Sequence, residues 1–361
     1  MAAPVEALTD DLVGETLLRV PPAEPAHLVR AAAVCKPWRR LLADPAFLRR
    51  YRAFHRAPPM LGFLHNVVDS DRIPRLVPLL PAAVRFGRPM GLVVWDPLTG
   101  HQESVPLPVH PHSSCAATVL CAAAGCDHLD CRGGPHLVVF VGTDERDHVT
   151  WASVYSSETG AWSAAATVDV SASANVDHST YVEMRPSHLI GDALYFMLEL
   201  GKSFLEYDLG DGGLTLIDAP LMDELNVMPD GILMASEDGG LEFVAVDNES
   251  SDSDDLCIWS WEEDEDVAGW VLHTTIDLRA LIPKCELSCA LSLVGIVEGT
   301  DTVFLSSYVG LFTLEIKSRK ARKVGEQGAY YAVLPYMSFF APVHAMNDRR
   351  RLEDTTIHPL T

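Results

Sequence analysis

The sequence predicts an α+β, multidomain chain. A small three-helix module spans residues 1–57, an all-β propeller of five or six blades spans 58–345, and a flexible tail spans 346–361. Three observations lead there. Residues 8–56 carry apolar positions at helical spacing, punctuated by prolines. The remainder repeats a β-rich layout with a period near 50 residues. Charge divides at the same place: residues 1–57 hold nine basic and six acidic side chains, the rest 18 basic and 44 acidic.

In the front module, Thr9 caps a helix running from Asp10 to about Val20, with two acids in its first turn. Leu12, Val13, Thr16, Leu17 and Val20 give it one apolar face. The run Pro21-Pro22-Ala23-Glu24-Pro25 ends that helix, because proline lacks the backbone donor a helix needs. A second helix starts near Ala26 and carries Leu28, Val34, Trp38 and Leu41, with Pro37 expected to kink or break it before Trp38. Asp44-Pro45 opens a third, Asp as cap and Pro in the first turn. Phe47, Leu48 and Tyr51 form its apolar side, and Arg49, Arg50, Arg52 and Arg56 are expected to face water. This is more apolar surface than so small a module buries alone, which points to a partner protein.

The body repeats. Five segments share a β-rich run, an aromatic, a polar turn and a second β-rich run: LVVWDPLTGHQESV, ASVYSSETGAWSAA, FLEYDLGDGGLTLI, LCIWSWEEDEDVAGWVL and GLFTLEIKSRKARKV. Their aromatics, Trp95, Tyr155, Tyr207, Trp259 and Phe312, recur at intervals of 60, 52, 52 and 53 residues. Four strands per unit of about 50 residues is the signature of kelch-like blades. Asp, Ser and Thr-Gly in WDPLTG and YSSETG favour tight turns. Stacking of blades would bury the aromatics as core. In the third unit, residues 187–191 and 193–200 supply the other two strands. The first unit is expected to be short, because RIPRLVPLLPAAVRFGRP (72–89) shows no clear alternation. Residues 330–342 are expected to pair with 61–65, which removes exposed sheet edges.

The helical segment resembles an F-box, the module that docks onto the Skp-type adaptor of cullin-based ubiquitin ligases. The matches are Leu8, Asp11-Leu12, Leu17, Pro21, Leu28, Val34-Cys35-Lys36, Trp38, Arg39, Leu41 and Asp44-Pro45-x-Phe47. With its body, the chain resembles the grass-type plant F-box proteins that carry a C-terminal kelch-like β-propeller. The resemblance implies a substrate-recognition subunit of an SCF-type ligase, holding the Skp-type adaptor, and through it cullin, by Leu8, Leu12, Leu17, Pro21, Leu28, Val34, Trp38 and Leu41. The propeller would bind a target protein. Thr9, Thr16, Gly14 and Pro37 depart from the pattern and bear on the strength of adaptor binding. Two other functions are compatible with the residues: a propeller scaffold with an eroded F-box acting outside a ligase, and a propeller enzyme.

The remaining chemistry is sparse. Apolar residues are 48% and charged residues 21%, the signature of a core-forming protein. A net charge of −23 argues against nucleic-acid binding, which needs clustered Lys and Arg. The start MAAPVEALTDD has acids where a secretory signal has bases, and apolar runs such as 116–125 are too short to span a bilayer. Eight cysteines without a signal imply reduced thiols, so cytoplasm or nucleus, with no membrane partner. Cys115, Cys121, Cys126, His128, Cys131 and His136 lack the paired Cys-x2-Cys spacing of zinc knuckles and read as a loop with buried thiols. Residues 247–266 hold ten carboxylates and no Lys or Arg; they lack the Gly of a calcium loop and read as solvated hairpin loops around the strand Leu256–Trp259. Ser250, Ser251 and Ser253 lie among these acids as possible phosphorylation sites. No nucleophile elbow, Walker loop, dinucleotide fingerprint or HExxH motif occurs, so no catalytic residue, metal or cofactor is expected.

Overall fold

The computed structural model describes residues 10–22, 25–55, 60–67, 75–76, 83–87, 91–95, 102–124, 126, 134–144, 146, 149–170, 180–198, 201–220, 231–236, 238–247, 254–263, 268–282, 291–328 and 330–337. Two compact units divide it, residues 1–62 with 336–361, and residues 63–335. Helices come first: α1 (Asp10–Leu18), α2 (Pro25–Val34), α3 (Lys36–Ala43) and α4 (Pro45–His55). Four helical segments therefore stand where three were expected. The expected second helix divides at Cys35, whose extended backbone (φ −157°, ψ 165°) precedes α3 with its proline in the first turn. Pro37 is the cause: in a continuous helix it would have no N–H for the Ala33 carbonyl, and its ring would crowd that carbonyl.

Strands fill the rest. β1 (Met60–Val67) and β2 (Arg75–Leu76) are followed by β3 (Ala83–Gly87), β4 (Gly91–Trp95) and β5 (Gln102–Val105), the last three forming one sheet in that order. Next come β6 (Ser114–Cys121), β7 (His136–Asp144), β8 (Val149–Ser156), the short β9 (Ala161–Trp162) and β10 (Ala166–Asp169). Their order is β10-β8-β7-β6, with β9 also paired to β8. Three four-stranded antiparallel meanders follow. One is β11 (His188–Ile190), β12 (Ala193–Leu198), β13 (Ser203–Asp208) and β14 (Leu214–Asp218). The second is β15 (Gly231–Ala235), β16 (Leu241–Asp247), β17 (Asp255–Glu263) and β18 (Ala268–Asp277). The third is β19 (Ser292–Val297), β20 (Thr302–Ser307), β21 (Gly310–Glu315) and β22 (Lys320–Gly325). Finally β23 (Tyr330–Met337) returns to β1 in a sheet ordered β2-β1-β23. Among the described residues there are thus six sheets, and the expected pairing of the C-terminal strand with the first strand is present.

From β3 to β22, successive sheets pack on one another through shared apolar clusters. Leu92, Val94 and Val105 cluster with Val138, Phe140, Trp151 and Tyr155 of the next sheet. Val139 and Val141, the alternate positions on β7, pack instead with Leu194, Phe196, Leu198, Leu205 and Tyr207 of the sheet after it. A strand lined on both faces is buried along its length, as β7 is from Val138 to Thr143, and reads as a continuous apolar run. Likewise Phe204 joins a third cluster with Ile232, Phe243, Val244 and Trp259, which continues to Leu305 and Leu314. The first strands of successive sheets lie side by side: β3 by β6, β11 by β15, and β15 by β19. Thr118 on β6 shares a 2.7 Å hydrogen bond with Ser187, just ahead of β11. The Val333 carbonyl of β23 covers the bare Cα of Gly295 on β19. This succession of stacked antiparallel sheets is the arrangement of a β-propeller.

The repeat aromatics take the expected role. Tyr155, Tyr207, Trp259 and Phe312 are buried, each on the third strand of its sheet; the Trp95 side chain lies outside the described residues. In the second unit Gly160 turns with φ +66°, and its N–H donates 2.8 Å to the Ser156 carbonyl. In the third, Asp208 Oδ1 accepts the N–H groups of Gly210 (2.7 Å) and Asp211 (3.0 Å), the local acceptor role that makes Asp a turn former. The WDPLTG turn lies outside the described residues. Among the described residues the first repeat's sheet, β3-β4-β5, has three strands where each meander has four.

Candidate functional site

The helical module builds its own core before it offers a surface. Val13, Leu17 and Leu18 of α1, Leu28, Ala31 and Ala32 of α2, Leu42 of α3, and Phe47 and Tyr51 of α4 form one buried cluster. Polar ties fix the helix ends. Tyr51 donates its hydroxyl 2.7 Å to the Val20 carbonyl, and His55 Nε2 lies 2.8 Å from the Leu18 carbonyl. Both satisfy acceptors left over where α1 stops. Burial pushes the Tyr51 phenol up to about 12, so it remains a donor. Arg50 of α4 pairs with Glu15 of α1, and this hydrogen bond, with Arg19 also nearby, holds the Glu15 carboxyl below its ordinary pKa. Asp44 caps α4 through its side chain, accepting the Ala46 N–H at 2.9 Å.

Against this frame the eight predicted adaptor contacts separate. Leu17 and Leu28 are only 4% and 3% exposed, so they are core residues of the module and act on any partner through its fold. Trp38 and Leu41 are half-buried on the cluster's edge. Leu12 (55% exposed), Val34 (64%) and Pro21 lie on the surface. Leu8 and the Thr9 cap fall outside the described residues. Two further exposed apolar side chains, Val29 and Phe54, were not singled out in the sequence. On α2, Ala26, Val29 and Ala33 share the exposed face at i, i+3, i+7 spacing, opposite buried Leu28, Ala31 and Ala32. Arg52 corrects an expectation: it is 7% exposed rather than facing water. Burial reaches past its aliphatic stem to the guanidinium Nε, so the whole side chain is taken into the module.

In the body, Cys115 and Cys121 sit on β6, with Cys121 opposite His136 of β7. Cys115 and Cys121 are free thiols, and burial pushes that of Cys115 up to about 11, away from reactivity. His128 and Cys131 lie outside the described residues. Among the described residues no group of three or more His, Cys, Asp or Glu is placed to hold a metal ion. The strand inside the acidic run is present as part of β17, whereas Ser250, Ser251 and Ser253 fall outside the described residues. A cleft of about 1090 Å³ opens between the β11–β14 and β15–β18 sheets, walled by Trp261 and Trp270 and edged by Glu206, Asp218 and Asp247. No helix among the described residues is long and apolar enough to cross a membrane.

Comparison with solved structures finds distant likenesses. A functionally unknown protein from Desulfotomaculum acetoxidans DSM 771 is 13% identical, with 76% of this chain and 89% of that one covered and a TM-score of 0.37. The Cps50 (Swd1) beta-propeller domain of Myceliophteria thermophila is 11% identical over 73% and 91% of the two chains, with a TM-score of 0.33. The Penicillium chrysogenum alpha-L-arabinanase complexed with arabinobiose is 12% identical over 76% and 89%, with a TM-score of 0.36. These are too remote to bear on function. No curated protein matches the chain. A family model does match, over residues 81–344, most of the body that the sheets define. On that match the chain belongs to the family described as F-box protein AT5G49610-like, beta-propeller.

Proposed function

We propose that the chain is the substrate-recognition subunit of an SCF-type ubiquitin ligase. The helical module docks a Skp-type adaptor and through it cullin, and the propeller binds a target protein. Membership of an F-box propeller family carries this reading. It is supported by the exposure of Leu12 and Val34 on helices whose own core is already complete. The six sheets are read as six kelch-like blades, and the source as a plant of the grass type. The protein works in the cytoplasm or nucleus. It contributes no reacting group: it raises the effective concentration of a target beside a charged ubiquitin-conjugating enzyme.

The test is capture of purified Skp-type adaptor by the full-length chain, read as co-elution on a sizing column. A stoichiometric complex is expected. Folded chain that never retains adaptor would overturn the ligase reading and leave a propeller scaffold.

A further inference from the structure

The cleft between the β11–β14 and β15–β18 sheets has a composition that chooses its occupant. One wall carries Trp261 and Trp270, paired across β17 and β18 with ring centroids 5.1 Å apart in an edge-to-face arrangement. Trp270 is locked in place by its indole N–H, which donates 2.7 Å to the Asp218 carbonyl on β14 and so ties the two sheets together. Glu206, Asp218 and Asp247 are among the lining residues, and no Lys or Arg is found in the lining among the described residues. Glu206 is held by the Tyr195 hydroxyl, which donates to it at 3.1 Å.

Indole faces and carboxylates lining one cleft attract cations in two ways, through the ring quadrupole and through charge. A planar guanidinium uses both at once, stacking on the ring and forking onto the carboxylate, which an ammonium does less well. The surroundings carry the same sign. Residues beyond 57 hold 44 acids against 18 bases, a field that concentrates cationic partners near the surface. Locally, the Tyr195 phenol is raised by burial and then by Glu206 and Asp208, and the Cys257 thiol by burial and then by Asp247 and Asp255. At about 1090 Å³ the cleft is slightly larger than small-ligand sites of roughly 300–1,000 Å³, and has room for more than one side chain.

We infer that this cleft is a docking groove for an arginine-bearing basic segment of a partner protein, with Trp261 and Trp270 as stacking surfaces and Glu206 as the carboxylate clamp. The inference deepens the target-binding role proposed above by naming the chemistry of the target. It is tested without adaptor, so failure of adaptor capture and failure here remain separate results.

The probe is a fluorescein-labelled peptide of alternating Arg and Gly, titrated with full-length protein and read by anisotropy at physiological salt. Its counterpart carries citrulline, neutral and nearly isosteric, in place of Arg. The arginine peptide is expected to bind about tenfold more tightly than the citrulline one, and the Glu206→Gln and Trp261→Ala variants each to lose roughly fivefold or more. Glu158→Gln, which removes an equal charge from the exposed Ser156–Gly160 turn of another sheet, is expected to change nothing. Equal losses in the Glu158 and Glu206 variants would reduce the effect to diffuse attraction and overturn the inference, as would equal binding of the citrulline peptide. Glu206→Gln is nearly isosteric, so it decides the question even if Trp261→Ala disturbs the sheet.

Discussion

The Tyr331 hydroxyl donates a 2.8 Å hydrogen bond to Glu183 Oε2, joining positions 148 residues apart in sequence. Arg185 completes the group, its Nε 3.1 Å from the same carboxylate oxygen and its guanidinium 4.6 Å from the Tyr331 ring centroid. Glu183 is buried, and Tyr331 belongs to β23, the strand that returns to β1. The contact therefore ties the returning strand to the segment ahead of β11. Burial raises the phenol's pKa, which keeps it a donor through neutral pH.

Tyr331→Phe keeps the ring under Arg185 and removes only the hydroxyl. A buried carboxylate that loses one donor costs about 1–3 kcal/mol. Urea unfolding of the variant should show that loss in the midpoint with no change in slope. An unchanged midpoint would mean that water replaces the hydroxyl.

Gly231 is held bare by Phe243. A Cβ at position 231 would collide with the Phe243 ring, which is fully buried and packed against Phe204, Trp259 and Trp270 at centroid distances of 5.7, 5.5 and 5.8 Å. With neighbours on three sides the ring has nowhere to go. Gly231→Ala should destabilise the body by about 1–3 kcal/mol or more, as overpacked cores do, with a matching fall in melting temperature.

These two relationships also mark what the sequence shows and what it hides. The period of about 50 residues exposes the repeat, and the burial of Tyr155, Tyr207, Trp259 and Phe312 follows because each recurs at the same strand position. A glycine covered by a ring two residues off register, or a tyrosine meeting a glutamate in the segment ahead of β11, leaves no period to detect. The helical module fails in a different way. Leu12 and Leu17 belong to one family pattern and are equally apolar, yet one is exposed and the other buried. Helical spacing marks an apolar face, but it does not divide that face between the module's core and a partner. Trp261 and Trp270 were visible as aromatics of the fourth repeat; their pairing over a shared cleft required the hairpin register.

Gly14 weakens α1 by propensity, yet the structure offers it no steric reason to remain glycine. An added Cβ would meet only Leu41 Cδ2, at 3.9 Å, an ordinary contact. Gly14→Ala should stabilise the helical module by up to about 1 kcal/mol. Slower tryptic cleavage within residues 10–55 is the readout, and unchanged cleavage would show that α1 is not limiting.

His188 on β11 predicts an acid sensitivity. Its Nδ1 is buried without a hydrogen-bond partner among the described residues, and desolvation pushes its pKa down to about 4. In the unfolded chain the value returns to about 6.5. Between those two pH values the unfolded state binds a proton that the folded state refuses. The stability this group provides is complete above pH 6.5 and is lost as pH falls toward 4, by roughly 2 kcal/mol at pH 5. Many carboxylates titrate in the same range, so the comparison must be made against His188→Gln. Wild type should lose more stability than the variant between pH 7 and 5, and parallel losses would place the imidazole in contact with solvent.

Leu17 and Leu12 separate folding of the helical module from its use. Leu17 lies in the module's core with Val13, Leu28 and Phe47. Leu17→Asp would bury a charge without a partner, a cost of several kcal/mol that a module of this size cannot absorb. Trypsin should then cut readily at Arg39, Arg40, Arg49 and Arg50, and adaptor capture should be lost with the fold. Leu12 is exposed, so Leu12→Asp should shift stability by no more than about 0.5 kcal/mol and leave the tryptic pattern unchanged. If the module docks an adaptor through this face, capture should nonetheless fall, because the substitution places an unpaired charge in the apolar centre of an interface. Resistance to trypsin together with full capture in Leu12→Asp would move the docking face away from α1, towards Val34 and the exposed side of α2.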